Sequence, residues 1–441
     1  MRQGDKDARE TILRATLVIR FKMERKRMKR LRLLTLSLVV IASLLLAACG
    51  GAQPTNGVPT AEVPVVGETP DTPAATATMA DVVEATPTTA EAGAETPAAT
   101  AAATEAATPQ TGGGSTIPVT QGAGETLRTV QERGSVICAV NGQLPGFSFL
   151  DPQGEYTGFD VDFCRALSAA IFGNPDQAEF RPTDTQERFT VLQTGEVDVL
   201  IRNTTWSLIR DTDLGLNFAP TTIYDGQGIM VPNDSGLTSL ADLNGGTICV
   251  QQGTTTELNL ADVMASEGIE YTPAVFEDVN ATYGAYAEGR CDAVTSDKSQ
   301  LSSVARGVLP DPENHTILDV TLSKEPLGPA VRHGDDQWYD IVNWTIFATI
   351  AGEEYGLSSE NLDATLADVE NPEILRLVGR EGELGASLGL DNEFAYNILS
   401  TVGNYGEIYD RNLGEGTNTF IPRGLNSLYT EGGLLYSPPF R

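Results

Sequence analysis

Short runs of β-branched residues alternate with helical patterns through residues 125–441, and this alternation constrains the fold more than any other feature. Each run is five to seven residues long, and segments with the hydrophobic period of a helix lie between the runs. Such alternation is typical of βαβ units, so we expect an α/β fold with largely parallel sheets. The runs are VICAV (136–140), VDVLI (197–201), TICVQ (247–251) and CDAVTSD (291–297).

Two of the helical segments carry clear end signals. GFDVDFCRALSAAIFG (158–173) places apolar residues on one face and predicts an amphipathic helix that ends at Gly173. In GTTTELNLADVMASEG (253–268), Thr254 and Glu257 have the spacing of a capping box, which predicts a helix start at this point.

Charge is distributed unevenly along the chain. Residues 1–48 hold 12 lysines and arginines against 4 acidic residues, whereas the rest holds 17 bases against 56 acids. The strong excess of acidic residues after residue 48 argues against binding of nucleic acid through a basic surface.

The basic N-terminus resembles a bacterial export signal. FKMERKRMKRLR precedes an uncharged apolar run, which is of signal-peptide length and short for a membrane span. The run ends in LAAC, which resembles a lipobox and implies a signal peptide at 1–48 and acylation of Cys49. A plain anchor helix with an incidental cysteine is the alternative, and translation could begin at Met23 or Met28.

Residues 49–124 are dominated by Ala, Thr, Pro, Glu and Gly, with no aromatic residue before Phe147. This composition offers too little apolar surface to offset chain entropy, so we expect a disordered tether. The tether could let the folded part reach a membrane partner, or it could be a spacer through a cell wall.

Several strings in the folded part, in this order, resemble the amino-acid-binding proteins of ABC importers (solute-binding protein family 3), and within them the general L-amino-acid binders. The strings are GFDVDFCRA, ERFTVLQTGEVDVLIRNTTWSLIRDTDLGLNFA, IYDGQG, CVQQGTTTELNLAD, GRCDAVTSD, KEPLGPAVRHGDDQWYDIV and VGNYGEIYDRNLG.

The resemblance implies a type II periplasmic-binding-protein fold: two α/β lobes, each a sheet flanked by helices, joined by two hinge crossings. Lobe 1 would be 125–226 with a return part at 334–441, and lobe 2 would be 227–333. The crossings would fall near Tyr224–Gly228 and Pro326–His333. Ligand would bind between the lobes at the carboxyl ends of strands.

Four cysteines follow Cys49, an even number that favours disulfides in an exported protein. Pairing within each lobe gives Cys138–Cys164 and Cys249–Cys291. Buried free thiols are the alternative.

A free amino acid is a zwitterion, and a site that buries it must satisfy two opposite charges. The resemblance makes Arg210 the carboxylate-binding residue, because a guanidinium donates two parallel hydrogen bonds and keeps its charge. The neighbouring Asn203 and Thr205, with the loop backbone between them at Thr204, would add hydrogen-bond donors from the same lobe.

The resemblance places the other wall of the site in lobe 2. Thr254 and Thr255 stand at a helix start, where free N–H groups favour an anion, and Thr255 matches the family's carboxylate contact. Asp297 occupies the family's position for the ammonium group. Closure of both lobes around one ligand would be the signal that a permease reads.

Each of these residues also has a purely structural interpretation. Arg210 could pair with Asp211 or Asp213 in solvent, and Asp297 could be a turn or N-cap residue. Arg202 is interpreted as a structural ion-pair partner, and Trp206 as a core residue rather than a pocket residue.

The side chain of the ligand is expected to meet Asn141, Phe147, Thr185 and Gln251, a mixed pocket that implies broad specificity for polar L-amino acids. Leu144 and Thr185 replace the aromatic pair that sandwiches basic ligands in narrower relatives. The implied partners are a free L-amino acid, the transmembrane subunits of an ABC permease and, through the lipid anchor, the cell membrane. We expect a monomer with no cofactor and no metal.

Two other functions compete with this hypothesis. Some proteins of this fold dehydrate a cyclic amino acid, but His315 and His333 have no catalytic context here. A sensor module could share the same binding fold and signal to a receptor.

Overall fold

The computed structural model describes residues 124–441. The predicted signal peptide, Cys49 and the tether up to residue 123 lie outside the described residues. Within the described range, no helix combines the length and the apolarity needed to cross a membrane.

The first lobe is built on a five-stranded sheet with the order β5-β1-β6-β14-β7. Its first three strands are parallel, and β14 runs antiparallel to both β6 and β7. A small antiparallel sheet of β2, β3 and β4 stands beside it. The strands of this lobe are β1 (Val136–Val140), β2 (Gln143–Leu144), β3 (Ser148–Leu150), β4 (Tyr156–Thr157), β5 (Ala178–Pro182), β6 (Val199–Leu200), β7 (Leu216–Phe218) and β14 (Ala330–Arg332).

The second lobe contains a sheet with the order β10-β9-β11-β8-β12. Strands β9, β10 and β11 are mutually parallel, whereas β8 runs antiparallel to β11 and β12. The strands are β8 (Ile223–Pro232), β9 (Thr247–Gln251), β10 (Thr272–Phe276), β11 (Ala293–Asp297), β12 (His315–Ile317) and β13 (Lys324–Leu327). Two sheets with parallel centres confirm the predicted α/β class.

Two chain crossings join the lobes, and they pair with each other. The first part of β8 lies antiparallel to β13, with Asp225 opposite Glu325. The chain then enters the first-lobe sheet at Ala330, where β14 pairs with β6 and β7. The structure therefore returns to lobe 1 earlier than the predicted boundary at residue 333, because the apolar pair Ala330 and Val331 is buried in the first sheet.

Helices cover both sheets. In the first lobe, α2 packs on β1, and the C-terminal helices α8, α12 and α13 pack on α2, so the described C-terminal segment belongs to lobe 1. The helices are α1 (Glu125–Arg133), α2 (Phe159–Phe172), α3 (Arg188–Gln193), α4 (Leu208–Thr212), α5 (Thr255–Glu267), α6 (Val279–Ala287), α7 (Lys298–Gly307), α8 (Asp336–Glu354), α9 (Leu362–Ala367), α10 (Pro372–Leu377), α11 (Leu384–Leu388), α12 (Phe394–Thr401) and α13 (Tyr405–Leu413).

The predicted helix ends agree with the structure. Gly173 ends α2 in the left-handed conformation that glycine adopts without strain. Thr254 is the N-cap of α5, and its hydroxyl accepts the N–H of Glu257 at 3.1 Å. The carboxylate of Glu257 accepts the N–H of Gly253, one residue before the N-cap, so the capping box is displaced by one residue.

Both disulfides of the favoured pairing are present. Cys138 in β1 is bonded to Cys164 in α2, and Cys249 in β9 is bonded to Cys291 just before β11. Each bridge joins elements of one lobe, so neither one restrains the movement of one lobe against the other.

Candidate functional site

A polar cleft lies between the lobes at the carboxyl ends of the parallel strands. Residues that follow β1, β5 and β6 form its lobe-1 wall, and residues at the ends of β9 and β11 form its lobe-2 wall. This is the position at which open α/β sheets bind ligands. The lining residues are Asn141, Thr185, Arg188, Arg202, Asn203, Thr205, Arg210, Gln251, Thr254, Thr255, Thr256, Ser296, Asp297 and Gln300.

The two walls touch each other through hydrogen bonds. Thr185 donates to the carbonyl of Gln252 at 2.8 Å, and the Asn203 amide donates to Gln300 at 3.1 Å. The lobes are therefore closed around the cleft.

Arg210 is held with its guanidinium facing the cleft. Its backbone N–H is capped by the Ser207 hydroxyl at the start of α4, and one guanidinium N–H group donates to the Thr205 carbonyl at 2.8 Å. The guanidinium also lies 5.2 Å from the centre of the Phe189 ring. Burial lowers the pKa of Arg210 from its ordinary value. No acidic side chain within residues 124–441 forms an ion pair with it.

Two further arginines line the same wall. Arg188 opens α3 and stacks 4.7 Å from the Phe189 ring, and burial together with the charges of Arg210 and Arg202 lowers its pKa well below the ordinary value. Burial lowers the pKa of Arg202 to about 10. Arg202 donates to the Thr183 carbonyl at 3.0 Å and forms no ion pair with any described side chain. The lobe-1 wall therefore carries three buried guanidinium groups.

Asp297 is the acidic residue of the cleft lining. It ends β11, is only 6% exposed, and forms no ion pair with a side chain in the described part of the chain. Burial, together with the nearby charges of Asp225 and Glu325, raises the pKa of Asp297 well above its ordinary value. The site therefore places a costly buried carboxyl group opposite three costly buried guanidinium groups.

Two buried polar atoms of the lining have no hydrogen-bond partner among residues 124–441. They are the Nε of Arg188, a donor, and the Oδ1 of Asn203, an acceptor. Asn203 also has a positive φ of 26°, which asparagine tolerates better than most residues. Buried polar atoms are seldom left unpaired, so an unpaired donor and an unpaired acceptor among the residues that line one cleft favour it as a ligand site.

Of the other predicted site residues, Asn141, Thr185, Gln251, Thr254 and Thr255 line the cleft. The structure brings these together with Arg210, Asp297, Asn203 and Thr205.

Arg202, which was interpreted as a structural ion-pair partner, instead lines the cleft and forms no ion pair with a described side chain.

Three further predictions are wrong. Phe147 is 1% exposed and packs against Phe159 in the core, because an aromatic ring gains more from apolar burial than from a polar cleft. Thr204 is fully buried, and its hydroxyl donates to the Arg202 carbonyl at 2.6 Å, away from the cleft. Trp206 is 45% exposed rather than in the core, and it stacks on Phe218.

The sequence interpretation missed Arg188. A basic residue in the first turn of a helix opposes the helix dipole, and that conflict was the available signal. It also missed Glu325, a buried residue of the second crossing, whose carboxylate accepts the Thr205 and Thr255 hydroxyls.

The charges that line the cleft are complementary to a small molecule that carries positive and negative charge at separate points. Guanidinium groups from lobe 1 face a carboxyl group from lobe 2, so one such ligand would contact both lobes. No cluster of three or more metal-ligating side chains occurs within the described residues.

Known proteins with similar sequences were found along most of the chain. It is 51% identical over 318 residues to the general L-amino acid-binding periplasmic protein AapJ of Rhizobium johnstonii, covering 72% of this chain and 93% of AapJ. It is 48% identical over 316 residues to the glutamate/glutamine/aspartate/asparagine-binding protein BztA of Rhodobacter capsulatus, with the same two coverages.

A solved structure from Brucella ovis, a periplasmic binding protein of an ABC transporter with glutathione bound, is 48% identical. It superposes with a TM-score of 0.70 and covers 72% of this chain and 100% of that one. Residues 136–360 match the model of the bacterial extracellular solute-binding proteins, family 3. With its two-lobed fold, its interlobe cleft and these relatives, the chain belongs to that family.

Proposed function

We propose that this protein is the extracytoplasmic substrate-binding protein of an ABC importer and that it captures free L-amino acids between its lobes. The observation that carries the proposal is the pair Arg210 and Asp297. They come from opposite lobes, line one cleft, and neither forms an ion pair with a side chain of residues 124–441.

An amino acid would neutralise both walls at once. Its carboxylate would bind the guanidinium of Arg210 and the N–H groups at the start of α5. Its ammonium group would bind Asp297. Because these contacts come from two lobes, the ligand would favour the closed arrangement through its higher affinity for it. Closure would then be the state that the permease recognises.

The ligand class can be narrowed to amino acids with an acidic or amide side chain. Arg188 lines the cleft with a free Nε donor, and Arg202 lies beside it. A side-chain carboxylate or amide oxygen would satisfy that donor and reduce the repulsion among the three guanidinium groups. BztA, whose name includes glutamate, glutamine, aspartate and asparagine, supports this class.

A longer γ-linked ligand is a second candidate. A cavity of about 200 Å³ adjoins the cleft and shares Asn141, Arg202 and Gln251 with it. An amino acid extended at its side-chain end, as in the glutathione of the Brucella ovis structure, could continue into this cavity.

An enzymatic role has no support in the cleft. Neither histidine lines it, and the His315 ring instead contacts the Tyr286 hydroxyl at 2.8 Å. We therefore propose a binding protein without catalytic activity or cofactor. A sensor that uses the same cleft would bind the same ligands but would not require a permease for its effect.

For the N-terminal part, we propose a lipoprotein signal peptide, acylation of Cys49 and a tether to residue 124. The protein would then work as a membrane-anchored monomer outside the cytoplasm. The LAAC sequence after the apolar run and the low hydrophobic content of residues 49–124 support this arrangement.

Calorimetric titration tests the function directly. Native protein, stripped of co-purified ligand, should bind one or more of the twenty amino acids, and reduced glutathione titrated beside them tests the second candidate. Arg210→Ala should weaken amino-acid binding by about 2–5 kcal/mol, because it leaves the ligand carboxylate buried without its partner. Near-native binding by Arg210→Ala would refute its role.

Asp297 should make amino-acid affinity depend on pH. The ammonium group requires an ionised carboxylate, but burial raises the pKa of Asp297, so binding must remove a proton when the pH is low. Affinity for L-glutamine should therefore fall as pH decreases through that raised pKa and stay constant above it.

Asp297→Asn should remove this pH dependence. It should also lower the affinity for L-glutamine far more than the affinity for the corresponding deaminated acid. The groups facing Asp297 are Asp225, Glu325, Arg210 and Arg188, and they remain in the variant. Equal losses for both ligands would mean that Asp297 does not bind the ammonium group.

Arg188 should discriminate between acidic and amide ligands. Arg188→Gln removes the charge but keeps a polar side chain, so affinity should fall roughly tenfold or more for L-glutamate and much less for L-glutamine. Arg128→Gln, on the exposed face of α1, is the matched control. The assignment fails if the two ligands lose equal affinity in Arg188→Gln.

The lipid anchor can be tested in cells. Cys49→Ala should release the protein from the membrane fraction, because it removes the acylated residue, whereas Ala52→Ser in the tether should not. Fractionation with immunoblotting measures the distribution. Retention of Cys49→Ala at the membrane would show that a different anchor is used.

A further inference from the structure

Glu325 lies behind the ligand cleft, on the second crossing strand, and is fully buried. Its Oε2 accepts the hydroxyls of Thr205 at 2.6 Å and Thr255 at 2.8 Å. Its Oε1 accepts the Asn259 amide at 2.9 Å and the Ser323 hydroxyl at 2.5 Å. A carboxylate can only accept hydrogen bonds and offers about four acceptor sites, so these four donors fill it.

This geometry determines what the two threonines can offer a ligand. A hydroxyl has a single proton, and those of Thr205 and Thr255 are both directed at Glu325. The two hydroxyl oxygens lie 3.2 Å apart, and neither hydroxyl donates its proton to the other. Each threonine presents only lone pairs to the cleft, whereas the sequence interpretation expected Thr205 to be a donor.

We propose that Glu325 is a positioning residue that turns the Thr205 hydroxyl oxygen into an acceptor for the ammonium group of the ligand. An ammonium group has three protons, and the cleft then supplies three kinds of acceptor. They are the carboxylate of Asp297, the unpartnered Oδ1 of Asn203 and the Thr205 oxygen. The inference rests on the proposed function, because it assigns a role within the amino-acid site.

Glu325 also links this acceptor to lobe closure. Thr205 belongs to lobe 1, whereas Thr255 and Asn259 belong to α5 of lobe 2. The carboxylate is fully hydrogen-bonded only when both lobes reach the crossing strand. The ammonium acceptor is thus complete in the closed protein, the state in which a ligand contacts both walls.

Glu325→Gln tests the proposal with little change of shape. If the side-chain oxygen of the introduced glutamine accepts from Asn259, the glutamine NH₂ group faces the two threonines. The threonine hydroxyls must then accept from this NH₂ group and turn their own protons toward the cleft. By calorimetry, affinity for L-glutamate should fall at least about tenfold more than affinity for glutarate, which lacks the ammonium group. If Glu325 had a purely structural role, the variant would lose equal affinity for L-glutamate and for glutarate. That result would overturn the proposal.

Two further variants keep the test decisive. Thr205→Val removes the acceptor oxygen and should cause the same selective loss for L-glutamate, even if Glu325→Gln does not fold. Unchanged discrimination between the two probes in Thr205→Val would overturn the proposal. Glu267→Gln, an exposed residue at the end of α5, is the control with the same charge change. Binding of L-glutamate by native protein tests the proposed function separately.

Discussion

Buried charge that no ion pair of the described residues offsets is the constraint on which the site depends. Arg188, Arg202 and Arg210 lose solvation on one side of the cleft, and Asp297 loses it on the other, without an ion pair among the described residues. Such burial costs several kcal/mol per ion unless a partner is supplied. A zwitterionic ligand supplies both partners in one molecule. The free energy gained when the buried charges are paired therefore stabilises both the bound ligand and the closed arrangement of the lobes.

The fold explains why opposite charges meet there. Each lobe is a sheet whose parallel strands end at the cleft, so the residues after β1, β5 and β6 face those after β9 and β11. The lobes are joined through β8 and β13, which pair with each other and carry Asp225 and Glu325 in register. Each disulfide lies within one lobe, so no disulfide restrains the two crossings at which the lobes can hinge. Glu325 places a hydrogen-bonded carboxylate where hinge and site meet.

Residues with a distinctive sequence pattern were predictable, whereas residues whose role depends on where the side chain points in the folded protein were not. The strand runs and the helix limits at Gly173 and Thr254 followed from local signals, whereas the disulfide pairing followed from keeping each cysteine pair within one lobe. Thr204 was misplaced because the chain bends at Asn203, where φ is positive, and the Thr204 hydroxyl turns back to the Arg202 carbonyl. Arg188 carried only the weak signal of a basic residue in the first turn of a helix, and Glu325 lies in a segment without periodicity. Only the three-dimensional contacts reveal that both are buried.

A crystal structure of the mature protein with a bound amino acid tests the central claim most directly. The account predicts the α-carboxylate on the guanidinium of Arg210 and the ammonium group on the carboxylate of Asp297, with both lobes in contact with one ligand. A ligand bound elsewhere, or bound in this cleft with its two charged ends away from these side chains, would contradict it.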